Sequence, residues 1–228
     1  MLFIILEGTG KRMSKRTVVF LVIFVSIFVF SGCAPEEEST PMIIGTARHS
    51  VIKEPVITHS PYPVERIDYT IPNSWYPPKY LEKGWKAIII HHSLTEQGNS
   101  TVFDNYHKNG HKWKGVGYDF VIGNGKGSGD GQVEVTFRWR EQIAGAHCGG
   151  TPNNWANVDG IGICLVGNFS KGVPTSRQMQ SLVKLIRYLQ QRYNIPSSRI
   201  YGHKDTPGYN NGTSCPGNFS IAKLQGML

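Results

Sequence analysis

The chain contains little cysteine. Four cysteines occur among 228 residues, and the first of them, Cys33, ends an N-terminal apolar stretch that is interpreted separately below. The other three, Cys148, Cys164 and Cys215, form an odd set, which argues against the paired disulfide framework of a small stapled domain. Internal repeats are also missing, so the sequence does not indicate a repeat architecture.

Long runs of like charge are absent as well. The formal net charge is +8, from 24 Lys and Arg against 16 Asp and Glu. Residues 1–32 hold four basic residues and one acidic residue, so the remainder carries 20 basic and 15 acidic residues, or +5. Scattered positive charge suits an anionic surface such as cell wall or phospholipid, and it is equally compatible with simple solubility. It does not indicate a nucleic-acid partner, and we expect none.

One long apolar run is present, and it lies at the N-terminus. From Met13, the better candidate for the start, the sequence reads MSKRTVVFLVIFVSIFVFSGC, with the basic start, apolar stretch and small residues of an export signal. Its ending, FSGC, resembles a bacterial lipobox, with Phe30 where that motif usually has Leu. The resemblance implies a signal peptide over residues 1–33 and lipidation of Cys33. The alternative is an uncleaved anchor helix, since about 20 apolar residues span a bilayer.

Lipidation of Cys33 would anchor an exported chain in a membrane, with its folded domain facing the cell wall. The next residue, Ala34 rather than Asp, would favour the outer membrane, and so a periplasmic domain, in a Gram-negative host. Residues 34–60 are rich in Pro, Ser, Thr and charge and are predicted to be a tether. Residues 61–84 carry enough aromatic side chains to pack on the edge of the domain that follows, at 85–228.

Short apolar runs alternate with helical patterns in the predicted domain. The runs rich in β-branched residues predict strands at 86–90, 118–123, 133–139, 161–169 and 199–202. This alternation indicates the α/β class. We expect a single domain with a mixed central β-sheet and helices packed on it.

Two amphipathic patterns predict the main helices. In the first, at 100–109, Val102, Phe103 and Tyr106 share one face and are expected to be core. The second, at 176–193, follows a capping box formed by Thr175 and Gln178, and its apolar positions repeat at helical spacing.

Three residues with zinc-binding side chains each lie beside a strand or a turn. His91 follows AIII, His203 follows RIYG, and Cys215 precedes a Pro-Gly turn. Two neutral imidazoles and one thiolate suit a zinc ion, and three protein ligands leave the fourth tetrahedral position open for water, as in catalytic sites. Taken singly, each residue is more often structural. The pattern becomes specific only when several motifs occur together.

These motifs are IIIHHS, GVGYDFVIG, AGAH, GIGICLVGNF, GHKD and CPG, in that order. The set, which runs from about Trp85 to Gly217, resembles the zinc-dependent N-acetylmuramoyl-L-alanine amidases of the type shared by phage amidase lysozymes and peptidoglycan recognition proteins. The resemblance implies their fold, one Zn²⁺ per chain and hydrolysis of the amide between N-acetylmuramic acid and L-alanine in peptidoglycan or muropeptides. It places the three zinc ligands on His91, His203 and Cys215.

The resemblance also implies catalytic residues. The active-site tyrosine of the family falls on Tyr118, and the second catalytic position, two residues before the cysteine ligand, falls on Thr213. That position is lysine in the phage enzymes and commonly threonine in the amidase-active recognition proteins. A related branch uses Asp in place of the cysteine ligand and Glu in the GIG strand. Because Cys164 occupies that strand position, the chain resembles the cysteine-ligand branch.

Three further residues fall where family members line the muropeptide groove: His107, Trp113 and His147. Each has a structural alternative, namely a helix cap for His107, a core position for Trp113 and a bond to a loop carbonyl for His147. His92 points to the opposite strand face from His91 if the alternation continues, so it is predicted to be structural.

Two alternatives to an enzyme stay open. One is a peptidoglycan-binding module without catalysis, against which the presence of Cys215 and Tyr118 argues. The other is a structural zinc domain, which needs a fourth protein ligand, for which Cys148 is the candidate. We expect a monomer that binds peptidoglycan through its domain and a membrane through Cys33.

Labelling with a fatty-acid probe tests the anchoring prediction. If Cys33 carries the lipid, wild-type protein should incorporate an alkyne-tagged fatty acid in growing cells, and Cys33→Ala should not. The incorporation is measured by in-gel fluorescence after purification of both proteins. Wild-type protein that stays in the membrane fraction without label would support the uncleaved anchor helix instead.

Overall fold

The computed structural model of the chain describes residues 70–228. The predicted signal peptide, its lipidation site Cys33, the tether and the first part of the predicted edge segment lie outside the described residues. Within residues 70–228, no helix is both long enough and apolar enough to cross a membrane.

A five-stranded sheet forms the centre of the described part of the chain. Its strands, in the order β3-β2-β4-β1-β5, are β1 (Ala87–His92), β2 (Phe120–Ile122), β3 (Val133–Val135), β4 (Gly160–Leu165) and β5 (Ile200–Gly202). All pairs are parallel except β2 with β3. Every residue of β1 and β4 is buried, because parallel strands are covered on both faces, and this accounts for their apolar sequences. The predicted α/β domain with a mixed sheet is confirmed.

Helices pack around this sheet. Residues 70–228 form α1 (Ser100–His111), α2 (Phe137–Glu141), α3 (Trp155–Val158), α4 (Ser176–Tyr193) and α5 (Ile221–Gln225). α4 has the predicted bounds and a complete capping box: the Thr175 hydroxyl accepts the Gln178 N–H at 3.0 Å, and the Gln178 side chain accepts the Thr175 N–H at 3.1 Å. Leu182, Ile186 and Leu189 of this helix are fully buried in the main core.

One predicted strand turns into a helix halfway along. The sequence predicts a strand over 133–139, but β3 ends at Val135 and α2 follows. Thr136 causes the change, because its hydroxyl accepts the Arg138 N–H at 3.2 Å and so caps the helix. The alternation of apolar and polar residues in VEVTFRW is typical of a strand. The helix is formed instead because it places Trp139 in the core, where its side chain is fully buried.

The ends of other strands also differ from prediction. β1 continues through His92, β2 begins at Phe120 rather than at 118, and β4 ends at Leu165 rather than at 169. These differences matter for the site, because they place His91 inside a paired strand and leave Tyr118 in the loop that enters β2.

α1 exposes two residues that the sequence predicts to be core. Val102 and Tyr106 are 52% and 62% exposed, whereas Phe103 and His107 form the buried stripe. The imidazole of His107 is accommodated there because its Nδ1 accepts the Gly117 N–H at 3.0 Å. The helix thus buries Phe103 and His107, which are four positions apart on one face. Hydrophobicity alone does not identify this pair, because one member is a histidine.

The segment before β1 lies against the domain through Trp75. Its indole is almost fully buried, and its carbonyl accepts the Trp139 Nε1–H at 2.8 Å and the Tyr188 hydroxyl at 3.2 Å. Arg192 of α4 donates two hydrogen bonds to Glu82, at 2.6 and 2.7 Å. These contacts hold the segment before β1 against α2 and α4.

A carboxyl group is buried next to β2. Asp119 has no exposed surface; its Oδ2 accepts the Gly162 N–H at 2.8 Å, and its Oδ1 has no hydrogen-bond partner. Burial raises the pKa of Asp119 to about 7, against the opposing effects of this N–H and of Lys83 and Arg138. Between about pH 4 and pH 7, Asp119 therefore stays protonated in the folded domain, whereas in the unfolded chain, with a pKa of 3.8, it is ionised.

Asp119→Asn should stabilise the domain in a pH-dependent way. Because the folded pKa is raised, the wild type loses stability as pH rises from about 4 to about 7, and the amide does not ionise. The gain in unfolding free energy should grow by roughly 2–4 kcal/mol between about pH 4 and pH 8, measured by urea denaturation. Asp159→Asn, which alters a partly exposed carboxyl paired with Lys86, is the control. Equal gains at both pH values would refute the assignment.

Candidate metal centre

Three donor side chains meet at the carboxyl end of the sheet. β1 and β5 are parallel neighbours, with Ile90 opposite Gly202, so His91 in β1 and His203 directly after β5 lie side by side. Cys215 reaches the same point from the loop before α5. One ligand atom from each of the three residues lies within 4.8 Å of the others. Residues far apart in sequence are thus brought together by strand pairing.

The spacing and the chemistry of these donors fit a zinc ion. His91 Nδ1 lies 3.7 Å from Cys215 Sγ, and two donors of a tetrahedral zinc site are about 3.5 Å apart. His203 Nε2 is buried without a hydrogen-bond partner, which is costly for a ring nitrogen unless something binds it. Two nitrogens and one sulfur are donors that zinc prefers.

Burial keeps the two imidazoles neutral. It lowers the pKa of His91 well below its usual value, helped by the nearby His147 and His203, and it lowers the pKa of His203 to about 4. Burial also raises the pKa of Cys215 to about 12, so the thiol keeps its proton until a cation displaces it. Neutral His side chains and a thiol that can lose a proton form a site ready for a divalent cation.

The Cys215 loop is tied to β1 and to the turn after β5. Its Sγ accepts the His92 N–H at 3.4 Å, which opposes the rise in the cysteine pKa. Its carbonyl accepts the Lys204 N–H at 2.8 Å, and its own N–H donates to Thr213 Oγ1 at 3.2 Å. Thr213 Oγ1 is therefore held at the backbone of Cys215, and because it accepts in this bond, its hydroxyl proton is left for another acceptor.

Tyr118 lies next to the three donors. Its ring centroid is 5.2 Å from that of His91. Burial raises the pKa of Tyr118 well above its usual value, and the neighbouring Cys164 and Cys215 add to the rise. The phenol is therefore a hydrogen-bond donor at neutral pH rather than a base.

An aromatic wall, consisting of His107, His111 and Trp113, extends from Tyr118 to the surface. The His107 ring lies 5.8 Å from that of Tyr118 and 5.0 Å from that of Trp113. Trp113 is 39% exposed and stacks on His111 at 4.7 Å. The sequence indicates His107 and Trp113 but misses His111, which the i, i+4 spacing of the two histidines on α1 could have identified.

His147 is mostly buried and lies against His91. It is 7% exposed and sits behind His91, with its Nδ1 at 3.1 Å from His91 Nε2. The Asn157 side chain accepts the N–H groups of His147 and Cys148, both at 2.8 Å, and this turns the loop inward. His147 therefore contacts a candidate ligand, and its role as a substrate contact stays a prediction.

The remaining histidine and cysteines lie outside the donor group. His92 points away from His91, as predicted, and its Nδ1 accepts the Phe169 N–H at 3.1 Å. Cys164 is buried opposite His91 in β4. Cys148 is buried too and is not part of the group of three. In residues 70–228 the structure thus offers no fourth protein ligand of the kind that a structural zinc site needs.

The chain belongs to the N-acetylmuramoyl-L-alanine amidase family, whose sequence profile matches residues 81–218. That range includes His91, His203 and Cys215. The family therefore covers the sheet and every residue assigned above to the candidate centre.

Relatives come from both animals and bacteria. The chain is 28% identical to peptidoglycan-recognition protein 2 of Holotrichia diomphalia over 144 residues, which are 57% of this chain and 71% of that protein. It is 33% identical to peptidoglycan-recognition protein SC2 of Drosophila melanogaster over 138 residues, 57% of this chain and 66% of that protein. The solved structure of the N-acetylmuramoyl-L-alanine amidase LysC from Clostridium intestinale is 30% identical, with a TM-score of 0.52, and covers 63% of this chain and 84% of that one.

Cys215→Ser tests the assignment of the sulfur donor. A serine hydroxyl is a poor zinc ligand at neutral pH, so zinc affinity should fall by more than about 100-fold, measured by competition with a chromophoric chelator. Cys148→Ser is the matched control, because Cys148 is also buried but lies outside the donor group. If Cys215→Ser kept the wild-type affinity, or if Cys148→Ser lost it, the donor set would be wrong.

Proposed function

We propose that the chain is a zinc-dependent amidase that hydrolyses the bond between the lactyl group of N-acetylmuramic acid and L-alanine in peptidoglycan. The observation that carries this proposal is the convergence of His91, His203 and Cys215 on one point. The family match and the similarity to an amidase structure from Clostridium intestinale support the choice of substrate bond.

His91 and His203 would hold the zinc as neutral imidazoles, and Cys215 would hold it as a thiolate. When bound, zinc supplies Lewis acidity and an activated water near neutral pH. Three protein ligands leave room for substrate, which is the difference between catalytic and structural zinc sites. The site therefore needs no carboxylate as a general base.

Tyr118 and Thr213 are the residues that would stabilise the oxyanion formed when the amide carbonyl is attacked. The contact of the Tyr118 ring with His91 and the bond of Thr213 Oγ1 to the Cys215 N–H support this role. The raised pKa of Tyr118 keeps its hydroxyl proton available for donation. Thr213 lies beside Cys215 and uses its oxygen, not its proton, in the bond to the Cys215 N–H. A hydroxyl supplies a hydrogen bond but no positive charge, so Thr213 would stabilise the oxyanion less than a lysine at this position would.

The aromatic wall is the proposed contact surface for the muropeptide. Trp113 and His111 form a stacked, partly exposed platform, and His107 connects it to Tyr118. A flat aromatic face packs against the apolar face of a sugar ring or a peptide backbone. His107 forms the buried end of this wall, and its Nδ1 accepts the Gly117 N–H.

The proposal includes a location, which rests on the sequence of residues 1–33 alone. Export and lipidation at Cys33 would hold a monomeric domain at a membrane, where its surface faces the wall that it cuts.

A second candidate function is peptidoglycan binding without hydrolysis. The two relatives named as peptidoglycan-recognition proteins favour it. The complete set of zinc donors, together with Tyr118, argues for the enzyme, because a site that only binds needs no open metal position.

Product analysis separates these two functions. Purified disaccharide peptides are incubated with the protein as isolated, after chelation, and after zinc is added back. The amidase should release a peptide with a free L-alanine amino group and a saccharide with a free lactyl carboxylate, both identified by mass spectrometry, and only when zinc is present. Binding of the same muropeptides without either product would support the binding module.

Tyr118→Phe should separate catalysis from metal binding. Loss of one oxyanion donor typically lowers turnover by about 100- to 1,000-fold, whereas zinc content and KM should stay close to wild type. Tyr106→Phe, on the exposed face of α1, is the control and should keep full turnover. Near-normal turnover of Tyr118→Phe would remove the phenol from the mechanism.

A further inference from the structure

A line of buried polar atoms runs from the backbone of β4 to the candidate metal centre. The Gly160 carbonyl lies 3.3 Å from His147 Nε2, and His147 Nδ1 lies 3.1 Å from His91 Nε2. The other nitrogen of His91, Nδ1, faces Cys215 Sγ at 3.7 Å. Both rings are at least 90% buried.

The chemistry of these partners allows one arrangement of protons. A carbonyl oxygen only accepts, so His147 Nε2 must carry the proton that lies between them. A neutral imidazole has one N–H, so His147 Nδ1 is then a lone pair and must accept the N–H of His91 Nε2. His91 Nδ1 is left with its lone pair directed at the point where the donors converge. Charging either buried ring would cost more than this neutral arrangement.

The His147 ring is held firmly in this position. The Asn157 side chain accepts the N–H of His147 at 2.8 Å, and the Gly117 carbonyl accepts the N–H of Ala146 at 2.9 Å. A Cβ atom at Gly145 or Gly162 would overlap the ring. The two glycines therefore leave a slot that the imidazole fills.

We propose that His147 is a positioning residue that sets the tautomer of His91, so that Nδ1 of His91 presents its lone pair before any cation binds. Second-shell partners of this kind fix the orientation of ligating histidines and typically change metal affinity by about 10- to 100-fold. The inference about metal affinity rests on the proposed zinc site, whereas the inference about the tautomer rests only on the geometry of residues 91, 147 and 160.

The tautomer can be read directly in the metal-free full chain. Long-range ¹H–¹⁵N correlation spectra of histidine-labelled protein distinguish a protonated Nε2 from a protonated Nδ1. Both His91 and His147 should appear as the Nε2–H tautomer. A His91 that carries its proton on Nδ1 in the metal-free wild type would overturn the proposal, whatever the variants show.

Two variants of His147 then test whether it is the acceptor that matters. His147→Asn keeps an acceptor, because its Oδ1 is bonded to Cγ at the place of Nδ1, whereas His147→Phe fills the slot without one. His147→Phe should give mixed His91 tautomers and about 10- to 100-fold weaker zinc binding. His147→Asn should keep His91 in the Nε2–H tautomer, with zinc affinity within a few-fold of wild type. Amide spectra establish that each variant is folded.

Equal zinc affinity in the folded wild type and His147→Phe would also refute the positioning role, as would a failure of His147→Asn to do better than His147→Phe. None of these readouts needs a substrate. Failure of the chain to cleave muropeptides would therefore not affect the tautomer test. A failed tautomer test would not affect the proposed amidase activity, which product analysis tests separately.

Discussion

Parallel pairing of β1 with β5 is the constraint on which the rest of the site depends. It sets Ile90 opposite Gly202, so that the two histidines beyond them emerge together at one edge of the sheet. Cys215 is then tied to β1 through the His92 N–H and to the turn after β5 through the Lys204 N–H. His91 lies more than 100 positions from His203 and Cys215 in sequence, and strand pairing together with these hydrogen bonds brings the three residues together.

Burial gives these residues their chemical states. Desolvation keeps His91 and His203 neutral, keeps the proton on the phenol of Tyr118, and raises the pKa of the Cys215 thiol to about 12. Metal binding must therefore release the thiol proton, which links zinc affinity to pH. His91, His203 and Cys215 thus surround, as neutral donors, a point that suits a divalent cation.

The elements that depend on neighbouring residues could be predicted from the sequence. The capping box of Thr175 and Gln178 defines the start of α4, and the run AIII defines β1, because both depend on neighbouring residues. The strand predicted over 133–139 fails since Thr136 caps a helix whose Trp139 is needed in the core. The position of His147 depends on contacts with residues ten and 56 positions away, which no local pattern encodes.

The central claim is that two imidazole nitrogens and one thiolate sulfur bind a single zinc ion. X-ray absorption at the zinc edge of zinc-loaded protein tests it most directly, because sulfur and nitrogen scatterers differ in distance, at about 2.3 and about 2.0–2.1 Å. We expect one sulfur, two histidine nitrogens and one further light atom around each zinc. A shell without sulfur, or one with two sulfurs, would contradict the assignment of His91, His203 and Cys215.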